Sequence, residues 1–384
     1  MVVYGGFEIA LRTVTAVVGT TTEPYELIVV DNASPDGAGD LLQDRVHGAT
    51  FVMNDRNLGY GAAANLGALH ARGRYVGILN SDLEPHPGWL GPLISALDDD
   101  DRAGAAVPMY LEADGRVQEA GVLVGGDGRG YGYGDRWSPD HPEIGFRRYV
   151  DYGSAAAILV RSDAFLGVGG FDPIYGLGYY EDADLCFSMR EAGWHIVYEP
   201  ASRVTHVGHT AFSATTRLEQ VEHNRPIFCG RFARQLRGRP LLRRPPFDPH
   251  KDLVLRDWWA ADRVLLLDST GRLSGLAGAI QQARPLCRVT WVATHNGRWH
   301  GPRPPGVERF DHVGRLGRWL EERRFHYSAV ISDAPATDRH EAYLTHTQSQ
   351  AIIATVGHHR PGWVTIDREA PIDTVLALLA MTPS

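Results

Sequence analysis

The chain has 384 residues, 22% of them charged, and a formal net charge of −8, which excludes a generally basic nucleic-acid binder. That length exceeds one ordinary core, so two domains are expected. Three cysteines, Cys186, Cys229 and Cys287, lie far apart with no C-x-x-C spacing; this argues against a disulfide framework or a structural zinc site and suits a reducing cytoplasm.

No apolar run approaches the ~20 residues that span a bilayer, and the N-terminus lacks the basic start and apolar stretch of a signal peptide. Any membrane role is therefore read as peripheral, at the inner face.

Taken in chain order, Tyr25 to Val30 (YELIVV) is a β-rich run that stops at Asp31-Asn32. Thr50 to Asn54 is a second strand, followed by Asn57-Leu58-Gly59 and a helix of small residues, Gly61 to Ala71. Tyr75 to Leu79 is the third strand and Ala103 to Val107 the next. Strands separated by helices of this length point to parallel βαβ units and an α/β sheet. In such sheets ligands bind beyond the carboxyl ends of the strands, and two of those ends carry acids, Asp31 and Asp82.

From Gly125 to Gly145 the chain is rich in glycine and aromatics without a period; it reads as either a loose surface loop or a substrate-gating loop. Ala183 to Gly193 reads as a helix. Arg225 to Arg244 holds seven arginines and no acid, and is taken as a solvated linker, with peripheral contact to anionic lipid through 225–244 as the other reading. A second α/β pattern follows, with strands at Arg263 to Asp268, Arg288 to Thr294, Ser328 to Asp333 and Ala351 to Val356. Helices at Leu273 to Arg284 and Leu316 to Phe325 separate them. It lacks G-x-G-x-x-G, and no catalytic constellation is visible in it.

Four spots carry chemistry: Asp31, Asp82 in ILNSDLEP, the cluster Glu181-Asp182-Ala183-Asp184, and the histidines His206 and His209. The acid cluster precedes a helix, so N-capping accounts for one or two acids. Three acids within four residues repel one another unless a proton or a cation is shared, and a general base gains from such a neighbour. Two histidines at i and i+3 are either polar surface residues or metal ligands.

Together the blocks YELIVVDNASPDG, NLGYGAAANLGA, YVGILNSDLEP, GGFDPIYGLGYYEDADLCFSMREAGW and VTHVGHTAFS resemble a family-2 glycosyltransferase of the bacterial rhamnosyltransferase-like, polysaccharide-building kind. The resemblance runs from Val2 to about Ser213. It implies a GT-A nucleotide-diphospho-sugar transferase fold with a mixed, mainly parallel sheet over residues 1–213. A helical, basic linker would occupy 214–257, and a smaller Rossmann-like accessory domain 258–384. It implies an inverting transferase moving a sugar from a nucleoside diphosphate, UDP or dTDP, to a glycan, lipid-linked or small-molecule acceptor. By residue, it implies nucleotide binding by Val3, Tyr4, Asp31, Asn57, Gly59, Asn65 and Asn80. Mg²⁺ or Mn²⁺ would bind at Asp82 and His206, with Asp182 as general base beside Glu181; His209 has no assigned counterpart.

The family normally starts with a full apolar strand, whereas this chain reads Met1-Val2-Val3-Tyr4-Gly5-Gly6. Either the true start lies upstream or the sheet tolerates a short strand. A nucleotidyltransferase competes poorly, because only Arg12 is basic near Gly5-Gly6. A degenerate sugar-nucleotide-binding or scaffold protein is the non-enzyme alternative. The second domain is expected to be an accessory or homo-oligomerisation module.

Overall fold

A computed structural model describes residues 1–208, 214–242, 249–294, 297–333, 338–357, 359, 361–366 and 371–380. The chain divides into two units, Met1–Pro139 with Tyr149–Leu242, and Asp140–Arg148 with Arg243–Ser384.

In the first unit, β1 (Val2–Val3), β2 (Ile28–Asp31) and β3 (Thr50–Met53) alternate with α1 (Phe7–Thr20), α2 (Ala38–Arg45) and α3 (Tyr60–His70). The three strands form a parallel sheet in register Val3↔Asp31 and Asp31↔Met53, so Asp31 sits at its carboxyl edge. A second, mixed sheet uses β4 (Tyr75–Leu79), β5 (Leu83–Pro85), β6 (Ala103–Leu111) and β7 (Val117–Glu119), with α4 (Leu90–Asp98) between β5 and β6. After the antiparallel hairpin β8 (Val122–Val124) and β9 (Gly130–Gly132) come β10 (Arg148–Tyr149), β11 (Ala157–Arg161), α5 (Ser162–Gly167), α6 (Glu181–Glu191) and β12 (His195–His206). Its order is β10-β12-β6-β11-β4, with β5 on β12 and β7 on β6.

All nine residues of β6, AGAAVPMYL, are buried, the continuous apolar run of a central strand covered on both faces. Helix α4 packs Leu93, Ala96 and Leu97 against Leu79, Leu83, Tyr110 and Val204. The two sheets are separate, and β1, at the edge of the first, is only two residues long. An apolar cavity of about 530 Å³ lies beside β1 and β4, lined by Val17, Ile28, Leu79 and Trp89 among others; it lies away from the acids.

The region expected as a solvated linker is different. Helix α7 (Ala214–Arg231) and α8 (Ala233–Leu236) belong to the first unit. Phe228, Phe232 and Leu236 repeat every four residues and pack with Phe187, Tyr175 and Val124, so one face of this basic stretch is core. Two of its arginines make ion pairs within the unit: Arg239 with Asp151 at 2.8 Å and Arg231 with Asp184 at 3.2 Å. Of the 225–244 stretch, residues 243 and 244 lie outside the described residues. The Gly125–Gly145 stretch is likewise no single loop, since it begins on the β8–β9 hairpin and from Asp140 belongs to the second unit.

The second unit holds α9 (Pro249–Arg256), β13 (Asp262–Asp268), α10 (Leu273–Ala283), β14 (Cys287–Ala293), β15 (Val307–Phe310), α11 (Leu316–Glu322), β16 (Ala329–Ser332), α12 (Asp338–Thr347), β17 (Ile352–Val356), β18 (Val364–Ile366) and α13 (Pro371–Ala380). Its sheet is wholly parallel in order β15-β14-β13-β16-β17-β18, a doubly wound arrangement that reverses between β13 and β16. Strands β15 and β18 escaped the sequence reading because four and three residues carry too little periodicity. The inserted segment 140–148 anchors this unit. Phe146 is buried under the guanidinium groups of Arg288 and Arg256, at 4.9 and 5.4 Å, and Glu143 pairs with Arg323. Among the described residues no helix is long and apolar enough to cross a membrane.

Candidate active site

Strand β4 ends at Leu79, and its chain turns through Asn80-Ser81-Asp82 into β5. Thr13 of α1 fixes that turn, its hydroxyl donating to the Ser81 carbonyl at 2.9 Å and accepting from Leu83 N–H at 3.0 Å. Strand β5 runs antiparallel to the end of β12, with Leu83 opposite His206. This register sets His206 Nε2 3.3 Å from the buried Asp82 carboxylate. Burial pulls the imidazole pKa down, but the hydrogen bond and charge of Asp82 outweigh it and the net shift is upward.

Across the cleft, α6 begins at Glu181. The two residues before it, Tyr179 and Tyr180, adopt left-handed backbone with φ of 70° and 76°, a costly conformation for aromatic residues that persists only where surroundings hold it. Asn224 of α7 supplies the hold: its side-chain amide donates to the carbonyls of Tyr175, Gly178 and Tyr179 at 3.0, 3.0 and 2.8 Å. A Cβ at Gly59, itself at φ 84°, would run into the Gly176 carbonyl oxygen, so only glycine lets the Asn57–Gly59 turn meet this loop.

The three acids of the cluster then sort by partner. Asp184 is buried against the Tyr175 hydroxyl, at 2.7 Å, and Arg231, a structural role. Glu181 and Asp182 line the cleft. Burial raises the pKa of both, and the Asp182 charge raises Glu181 further. The Ala183 N–H, 2.8 Å from Asp182 Oδ1, works the other way on Asp182. Glu181 Oε2 and Asn80 Oδ1 are buried without a donor among the described residues, which is how a wall looks when it is shaped for a ligand.

The cleft has a volume of about 430 Å³. Of the expected site residues it gathers Tyr4, Asn57, Asn80, Asp82, Glu181, Asp182 and His206. Four others lie outside its lining. Val3 is core, packed with Val29 and Leu42. Asp31 is buried and accepts from the backbone and hydroxyl of Ser34. Asn65 makes a two-way amide pair with the Phe171 backbone, at 2.8 and 2.9 Å, and Gly59 serves the close approach above. His209 falls outside the described residues.

The sequence reading passed over Asn32, which lines the cleft. Its amide oxygen accepts from Leu58 N–H at 3.0 Å, and its amide nitrogen donates to Asn57 Oδ1 at 2.9 Å. Its position directly after the strand-end Asp31 was the available signal.

A divalent cation fits one wall of this cleft. The Asp82 carboxylate and the His206 imidazole meet there, and Asn80, whose amide oxygen has no donor among the described residues, lines the same cleft. No group of three or more His, Cys, Asp or Glu side chains able to hold a metal occurs among the described residues. Such a sparse set suits a hard ion that completes its shell with phosphate oxygens and water.

Residues 1–145 match the sequence profile described as Glycosyl transferase family 2. The N-acetylglucosaminyl-diphospho-decaprenol L-rhamnosyltransferase of Mycobacterium tuberculosis is 32% identical over 209 residues, 48% of this chain and 67% of that protein. The chain belongs to glycosyl transferase family 2. This family 2 glycosyltransferase is also 29% identical to the pre-mycofactocin glycosyltransferase of the same species, over 70% of this chain and 54% of the relative. Among solved structures, a mannosyltransferase from Pyrobaculum calidifontis in complex with GDP-Man and Mn²⁺ aligns with a TM-score of 0.45 at 18% identity, over 66% of this chain and 68% of the other. The first unit of the glycosyltransferase, with its parallel β1–β3 sheet and mixed second sheet, has the GT-A fold.

Proposed function

We propose that the first unit is an inverting, cation-dependent sugar transferase using a nucleoside-diphosphate donor, UDP- or dTDP-linked, and a glycan or lipid-linked acceptor. The observation that carries this reading is the pairing of two buried acids, Glu181 and Asp182, with the Asp82–His206 wall in one cleft. Similarity to the M. tuberculosis N-acetylglucosaminyl-diphospho-decaprenol L-rhamnosyltransferase supports a lipid-linked acceptor.

In this reading Asp82 and His206 hold Mg²⁺ or Mn²⁺, which when bound neutralises charge developing on the departing diphosphate. Asn32, Asn57 and Tyr4 border the nucleotide side. Burial and mutual repulsion leave one proton on the acid pair near neutral pH. Asp182, at the helix N-terminus and bonded to Ala183 N–H, keeps the negative charge. It takes the acceptor hydroxyl proton as that oxygen attacks the anomeric carbon. A protonated Glu181 donates a hydrogen bond to a sugar hydroxyl through Oε2, the carboxyl oxygen with no donor among the described residues. One displacement with the base opposite the leaving group inverts the anomeric centre.

The test is a thermal-shift panel of UDP-, dTDP- and GDP-sugars with and without Mn²⁺, followed by NMR of the anomeric centre in any product. A stabilisation by one nucleotide class that requires Mn²⁺, and an inverted product, are expected. Stabilisation independent of metal, or a retained anomeric configuration, would refute the reading.

A further inference from the structure

Gln118 lies outside every motif and outside the cleft lining, yet it touches the cation wall from behind. Strand β7 pairs with β6 in the register Tyr110↔Glu119 and Leu111↔Val117. Two residues of β7 therefore oppose one step of β6, and Gln118 is the extra residue of a β-bulge. Bulges turn a side chain out of the regular alternation. Here the side chain is turned toward the end of β12, where Gln118 Oε1 lies 3.2 Å from His206 Nδ1. The ring is thus gripped at both nitrogens, by Gln118 on one side and Asp82 on the other. Tyr110, whose hydroxyl is tied to the Ser154 and Ala157 carbonyls, packs beside it with ring centroids 6.4 Å apart.

We infer that Gln118 is a positioning residue for the cation site, its amide oxygen keeping the imidazole proton on His206 Nδ1 so that the Nε2 lone pair faces the cation beside Asp82. A neutral imidazole has one N–H and one lone pair, and the acceptor at one nitrogen decides which is which. A cation on the Asp82 carboxylate removes that carboxylate as an acceptor for the ring proton. Among the described residues, Gln118 Oε1 is then the acceptor left at the ring. An unbonded Nδ1 would leave the tautomer, and the ring's rotation, unfixed. The inference rests on the reading of Asp82 and His206 as cation ligands.

The experiment measures Mn²⁺ affinity of the full chain by EPR titration, with and without UDP, for wild type, Gln118→Met, Gln118→Glu and His206→Ala. Loss of an outer-shell partner typically weakens metal binding by about 10- to 100-fold. That loss is expected for Gln118→Met, while Gln118→Glu, which keeps an acceptor oxygen, stays within a few fold of wild type. Unchanged Mn²⁺ affinity in Gln118→Met, with His206→Ala weakened, would overturn the role of Gln118 alone. Unchanged affinity in His206→Ala would instead overturn the ligand reading, and the inference with it. Histidine ¹⁵N NMR of the wild type with Mg²⁺ and UDP gives an answer that needs no folded variant: a proton on Nδ1 of His206 supports the inference, and one on Nε2 overturns it.

Discussion

Both units place aspartates at or just beyond the carboxyl ends of strands, and they use them oppositely. In the second unit Asp268 ends β13. It accepts from the N–H groups of Thr270, Gly271 and Leu273 and from the Trp291 indole, at 3.1, 2.6, 2.9 and 2.8 Å. Asp333, after β16, accepts from the backbone and hydroxyls of Ser269 and Thr270. The turn that in a dinucleotide-binding sheet offers its N–H groups to phosphate is here filled by the chain's own carboxylates. In the first unit Asp82 faces an imidazole in an open cleft, while Asp31, at the end of β2 in the other sheet, closes on Ser34. A strand-end acid is therefore a weak functional signal until its donors are known. Backbone donors make it a fastener, and an exposed wall makes it a reagent.

The comparison breaks first at Asp182. Asp182→Asn should lower kcat by about 10²- to 10⁴-fold with nucleotide affinity retained, measured by transfer assay and titration calorimetry; lost nucleotide binding would make it a binding residue instead. Asp82→Ala should abolish the difference in nucleotide affinity between Mn²⁺ and EDTA, and a persisting difference would count against the cation wall. The pH profile sharpens the same contrast. Asp182 must be ionised to act, and burial raises its pKa. Activity should therefore rise with pH through a midpoint above the ordinary aspartate value of about 3.9, and an acid limb at or below that value would contradict a buried base. Gly59→Ala should cost about 1–3 kcal/mol in urea unfolding, because its φ of 84° and the Gly176 carbonyl both oppose a Cβ.

Much of this was legible in the residues, and the reasons differ by element. Strand-end runs such as YVGIL announced β4, and the acids after them announced the turn that holds Asp82. Gln118 and Asn224 were not legible, since they lie in no motif and their roles come from a bulge and a helix face fixed only by tertiary packing; Asn32 was marked only by its place after Asp31. The basic stretch misled because seven arginines over 225–244 outweighed the four-residue rhythm of Phe228, Phe232 and Leu236. Burial of a paired guanidinium, as in Arg239 with Asp151, leaves no mark in composition. The excursion 140–148 was invisible for a related reason: a lone Phe146 in a glycine-rich run does not say which core it enters.

The probe that leaves transfer untouched is Asp268→Asn, which separates fastener from reagent. Each Asp268 oxygen serves two donors, Oδ1 those of Thr270 and Gly271, Oδ2 those of Leu273 and Trp291. An amide NH₂ at Oδ2 faces the buried N–H groups of Leu273 and Trp291, and one at Oδ1 faces the buried Gly271 N–H and the part-buried Thr270 N–H. Stranding such groups costs about 1–3 kcal/mol each before relaxation, so a loss of roughly 2–4 kcal/mol is expected in the unfolding of the second unit. Transfer kinetics of the folded enzyme should not move. A drop in kcat without a drop in stability would place Asp268 in a second reactive site, and the contrast between the two strand ends would fall.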